Sequence, residues 1–139
     1  MDNPTIEDFS QWRAPKNGCF KLNCDAAVGK KGEKESAAVV IRDSKGILVN
    51  GLTGLTNVSS PLQGELEAIR QACGMISDLG YQNALVESDS QVAIKLSVSE
   101  LVPTWEVFVV VWDIRRMRED LNIRFGWVKR TASRLACGG

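Results

Sequence analysis

The chain has no histidine among its 139 residues. That absence excludes imidazole acid–base chemistry and histidine metal ligation, and leaves carboxylates, thiols, lysines and hydroxyls for any catalysis. Cysteine is sparse: Cys19, Cys24, Cys73 and Cys137 fall in no zinc-site spacing, so reduced, mostly buried thiols are expected. Long apolar runs are missing as well. The most apolar stretch, Val107 to Val111, stops at Trp112-Asp113, far short of the ~20 residues a membrane helix needs, so no membrane partner is expected. Met1 to Trp12 is acidic and polar, without the basic start and apolar block of a leader, and an intracellular protein is the expectation. Net charge is +0, which argues against a protein held on nucleic acid by bulk charge. No internal repeat and no low-complexity segment occurs.

What is present reads as one soluble domain. Hydrophobic residues make up 44% of the chain and charged residues 24%, ordinary values for a folded chain long enough to bury a core. The charges are unevenly spread. Ser59 to Glu106 carries seven acids and two bases, whereas Val107 to Gly139 carries seven bases and three acids. An acidic middle and a basic final third suit metal and phosphate; solvated helix faces of mixed charge suit the same pattern.

Residues 1–17, punctuated by Trp12 and Pro15, read as an arm, and residues 18–139 as the domain. Cys19 to Ala27 alternates, with Phe20, Leu22 and Cys24 on one face and Lys21, Asn23 and Asp25 on the other. Ser36 to Arg42 and Ile47 to Leu55 form two further strands about an Asp43-Ser44-Lys45-Gly46 turn, giving an antiparallel meander. Ser60-Pro61 with Gln63 announces a helix, whose apolar stripe is Leu62, Leu66, Ile69, Cys73, Ile76 and Leu79, ended by Gly80. Ala84 to Asp89 is a fourth strand, reached through that helix and so free to run parallel to the first. A short helix over Ser90 to Val98 follows. Thr104 is expected to cap another, with Trp105, Phe108, Val109, Trp112, Arg116 and Leu121 as its stripe and the two tryptophans in the core. Ile123, Phe125 and Trp127 alternate as a fifth strand, and a final helix opens at Arg130 and is expected to be cut short at Gly139.

Three acids stand out against this frame. Asp89 lies at the carboxyl end of a strand just before a helix, where open α/β sheets place ligands; the competing reading makes Ser88 or Asp89 a helix cap. Asp25 ends the first strand, where a turn residue is the plainer explanation. Glu65 borders the apolar stripe of the long helix, with Glu67 roughly 200° around it, and first-turn acids also favour a helix dipole. Carboxylates without histidine or thiolate partners suit hard cations such as magnesium or manganese.

A strand Asp, a helix Glu and a second strand-end Asp, in the segments KLNCDAA, VVIRDSKG, SSPLQGELEAIRQA, VESDS and WVKRTASRLA, resemble the type 1 ribonuclease H domain. The likeness is to its plant reverse-transcriptase-like branch and spans about residues 12–137. It implies an α/β ribonuclease H-like fold: a mixed five-stranded sheet, the first three strands antiparallel, with helices on both faces. It also implies endonucleolytic hydrolysis of the RNA strand of RNA–DNA hybrids by two Mg2+ or Mn2+ ions, in a monomer. Asp25, Glu65 and Asp89 would be catalytic and metal-binding, with Asn23, Ser88, Ser90, Arg130 and Ser133 as substrate or supporting contacts. The family closes with an Asn four residues before a fourth acid; Ser133 and Cys137 stand there instead. A thiol is a poor magnesium ligand, so an inactive nucleic-acid- or protein-binding module is the alternative, and a small interaction domain whose acids are caps is a third reading.

Overall fold

The computed structural model describes residues 6–9, 19–27, 35–43, 45–56 and 60–129. In chain order the elements are β1 (Ile6–Phe9), β2 (Phe20–Ala27), β3 (Glu35–Arg42), β4 (Leu48–Thr56), α1 (Pro61–Leu79), β5 (Ala84–Ser88), α2 (Gln91–Val98), α3 (Trp105–Leu121) and β6 (Arg124–Val128). They build one mixed sheet in the order β1-β6-β5-β2-β3-β4. The five expected strands are β2 to β6, with β2, β3 and β4 antiparallel and β5 and β6 parallel to the centre. A sixth strand, β1, lies within the stretch read as an arm and pairs parallel with β6. Four residues, two of them acidic, carry too little alternation to announce a strand; the open edge of β6 supplies the pairing.

The local signals act as their chemistry requires. Asp43 closes the β3–β4 turn: its Oδ1 accepts from Lys45 N at 2.9 Å and Ile47 N at 3.0 Å, and Gly46 takes φ 77°, a conformation glycine adopts without a Cβ clash. Ser60 caps α1 by accepting from Gln63 N at 3.2 Å, Pro61 opens it, and Gly80 at φ 69° ends it. The stripe of α1 is buried at Leu66, Ile69, Cys73 and Ile76, whereas Leu79, in its last turn, is 48% exposed.

α1 packs over β2, β3 and β5, α2 over β5 and β6, and the three helices touch one another, so all three lie on one face of the sheet. Leu22, Cys24, Val39, Ile41, Val86 and Phe125 face them. Helices are expected on both faces; the final helix expected from Arg130, with the site positions Arg130, Ser133 and Cys137, falls outside the described residues. That second face of the sheet still buries side chains: Lys21, Asn23, Leu85, Glu87 and Val128.

The stripe expected on α3 is reversed. Val107, Val110, Val111 and Ile114 are buried, and Trp105, Phe108, Val109 and Trp112 face outward, Trp105 at 85% exposure. The helix has two apolar stripes on opposite sides. The aliphatic one packs toward α1, whose buried face includes Ala68 and Ala72, because small side chains allow close helix approach. Thr104 holds the N-cap position but makes no side-chain cap bond. No helix of the described residues is long and apolar enough to cross a membrane.

Candidate metal centre

β2 and β5 are neighbouring parallel strands, with Asn23 opposite Glu87 and Cys24 opposite Ser88. The same offset carries the next pair, Asp25 and Asp89, to the carboxyl end of both strands. The N-terminal turns of α1 pass over that end and bring Glu65. One carboxylate oxygen from each of Asp25, Glu65 and Asp89 lies within 4.8 Å of the other two. Asp25 is exposed, Asp89 half-buried, and Glu65 sits deeper than Asp25. Three elements far apart in sequence thus converge on one point. Glu67 does not join them; it pairs with Arg70 at 2.9 Å, and Arg70 reaches Asp113 of α3 at 3.7 Å.

The capping role that competes for Asp89 is filled by another residue. Ser90 caps α2, its Oγ accepting from Ala93 N at 3.2 Å, so neither Ser88 nor Asp89 performs that task. Ser88 Oγ donates to Glu65 Oε2 at 3.3 Å and accepts from Ser90 N at 3.1 Å, tying the end of β5 to α1. The backbone of Asp89 is fixed from β6: Trp127 Nε1 donates to Asp89 O at 3.1 Å. Beside the carboxylates opens a hollow of about 410 Å³ lined by Pro61, Leu62, Glu65, Asp89, Ser90 and Val92.

The donor set fits hard divalent cations. All three groups offer oxygen, and clustered carboxylates repel one another until a cation offsets their charge. Among the described residues, the thiol next to these acids in sequence, Cys24, does not compete. Burial, and then the neighbouring Cys73, Glu65, Glu87 and Asp25, push the Cys24 thiol well above its ordinary value and keep it protonated.

A family model described as "reverse transcriptase-like" matches residues 23–137. The chain belongs to that family. No curated protein matches it. Among solved structures it is similar to ribonuclease H1 of the archaeon Halobacterium salinarum, at 16% identity over 86% of this chain and 92% of that one, with a TM-score of 0.75. It is similar to the N-terminal ribonuclease H domain of rv2228c from Mycobacterium tuberculosis, at 11% identity over 86% and 96% of the chains, with a TM-score of 0.71. A ribonuclease H1 from compost, LC11, solved in complex with an RNA/DNA hybrid, matches at 17% identity over 86% and 91%, with a TM-score of 0.69. The fold of this reverse transcriptase-like chain is therefore that of ribonuclease H.

Of one further feature beside the carboxylates, only Asn23 is among the residues singled out from sequence; Lys21 and Glu87 are not. Lys21 Nζ lies 3.6 Å from Glu87 Oε2, both almost fully buried, and Asn23 Nδ2 donates to Glu87 Oε1 at 3.0 Å. Its only trace in the sequence is spacing: Lys21, Asn23 and Asp25 alternate along one strand, Glu87 and Asp89 along the next.

Proposed function

We propose that this domain binds RNA–DNA hybrids and hydrolyses their RNA strand with Mg2+ or Mn2+ held by Asp25, Glu65 and Asp89. The observation that carries the reading is the convergence of three carboxylates from β2, α1 and β5 at one strand end. Family membership supports it, as does the hybrid bound to the LC11 enzyme of the same fold. Held by these carboxylates, divalent cations would supply water activation and stabilisation of the leaving oxygen in an in-line phosphoryl displacement. By the resemblance, Asp25 would be the ligand shared by the cations, and Glu65 and Asp89 would complete the set. Ser88 holds Glu65, Trp127 holds the Asp89 backbone, and the open hollow beside them admits a backbone phosphate. The hybrid is read through minor-groove shape and 2′-hydroxyls rather than base sequence.

A second reading, binding with little cutting, is favoured by one residue. Cys137 stands where the resemblance places a fourth acid. Loss of one ligand lowers transition-state stabilisation more than ground-state binding. The test is single-turnover cleavage of a labelled hybrid in magnesium. Slow, metal-dependent cleavage that Asp25→Asn abolishes is expected. Cys137→Asp with Ser133→Asn is expected to raise the rate about tenfold or more, which needs only ~1.4 kcal/mol in the transition state. Cleavage that persists in Asp25→Asn refutes the assignment of the site.

A further inference from the structure

The buried trio Lys21, Asn23 and Glu87 lies directly beneath the carboxylates. Asn23 precedes Asp25 by two residues and Glu87 precedes Asp89 by two, so each shares a sheet face with its ligand, about 7 Å back along the strand. Asn23 and Glu87 are register partners across the β2–β5 ladder, and the 3.0 Å bond between their side chains spans the two strands. From one pleat further back Lys21 engages the other oxygen of Glu87 at 3.6 Å. Asn23 is 4% exposed, Lys21 2% and Glu87 1%.

Stability alone does not account for this layer. A buried ion pair is usually no better than an apolar pair of the same volume. Among the described residues Asn23 Oδ1 is buried without a hydrogen-bond partner, so the amide is satisfied there at only one end, which costs more than a valine at the same place. Its value is geometric. A side-chain bond between two parallel strands, one pleat before their last residues, opposes splaying or slippage of the strand ends. Those ends carry two of the three ligands, which repel each other.

We propose that Asn23 is a positioning residue: its bond to Glu87, itself held by Lys21, clamps β2 to β5 and keeps Asp25 and Asp89 at cation-binding separation. This inference rests on the metal-site reading above. Partners of ligands in other metal sites typically change affinity 10–100-fold when removed.

The test is calorimetric titration of the full chain with MgCl2 and MnCl2, with folding confirmed by circular dichroism. Asn23→Leu keeps the branched shape and the net charge and removes the donor; Asn23→Val does so with a smaller, strand-favouring side chain that also lacks a donor, should the first fail to fold. Both are expected to raise the dissociation constant about tenfold or more. Leu85→Ala, which loosens the same buried layer and leaves the bond intact, is expected to stay within about twofold of the native chain. Native binding with no loss in the folded Asn23 variants overturns the clamp and leaves the metal site standing. An equal loss in Leu85→Ala also overturns it, showing general loosening. A native chain that takes up neither cation overturns the metal site and the clamp with it.

Discussion

α1 and α3 are the two long helices, each amphipathic by spacing, yet they differ in how much a single pattern decides. α1 has one apolar stripe, so its orientation follows from burial alone, and that orientation delivers Glu65 to the end of the sheet. α3 has two stripes. The sequence offers Trp105, Phe108, Val109 and Trp112 on one side and Val107, Val110, Val111 and Ile114 on the other, and hydrophobicity alone favours the aromatics. Packing selects the aliphatic side, which is buried where α3 lies against α1. A stripe fixes a helix only when it has no rival; where two compete, the neighbour's shape decides.

The strongest way to break this comparison is to cut both sides of α3. Ile114→Ala removes fully buried side-chain volume and is expected to cost about 2–5 kcal/mol in urea denaturation. Trp112→Ala removes a larger side chain that is 62% exposed and stacks on Phe108, and about 1 kcal/mol or less is expected. The reverse ranking would restore the aromatic stripe to the core.

Two acids near helix starts, only one of them in a first turn, differ in what they meet. Glu65 near the start of α1 joins the carboxylate cluster, whereas Glu106 in the first turn of α3 does not. At magnesium about 100 times the dissociation constant, the native chain gains ~2.7 kcal/mol by linkage. Glu65→Gln is expected to lose most of that gain and Glu106→Gln to keep it, both read as the metal-induced rise in melting temperature. Equal behaviour of the two variants contradicts the assignment of Glu65.

Cys73 sharpens the account of the buried face of α1. Burial, and then Asp113, push its thiol from 9.0 up to about 12. The folded state thus keeps a proton that the unfolded state releases near pH 9. The stabilisation is complete below pH 9 and is lost as pH rises from there toward 12, with a slope of ~1.4 kcal/mol per pH unit. Chemical denaturation between these pH values is expected to show that slope, shallower in Cys73→Ala. Cys24, shifted in the same direction, adds to the fall. The smallest effect is expected at Trp105→Ser, on the exposed side of α3, within about 0.5 kcal/mol of the native chain by the same denaturation.

Most of the fold and the core of the site were legible because their signals are local and unrivalled. The alternation of Phe20 to Asp25, the Asp43–Gly46 turn, and the Ser60-Pro61 start and Gly80 stop of α1 each have one physical reading. The acids were legible only together: Asp89 alone reads as well as a cap, and the structure gives that role to Ser90. β1 was not legible, because a four-residue strand exists only through the edge of β6. Nor was the Lys21–Glu87–Asn23 layer, since charged residues alternating along a strand ordinarily mark its solvated face, and nothing in their order says that this face is buried.

The central claim is that Asp25, Glu65 and Asp89 hold divalent cations. The most direct measurement is anomalous diffraction from crystals of the chain grown in MnCl2. A manganese peak bounded by these three carboxylates, absent in Asp25→Asn, is the expected result. Full manganese occupancy elsewhere, with nothing between the three acids, would contradict the account.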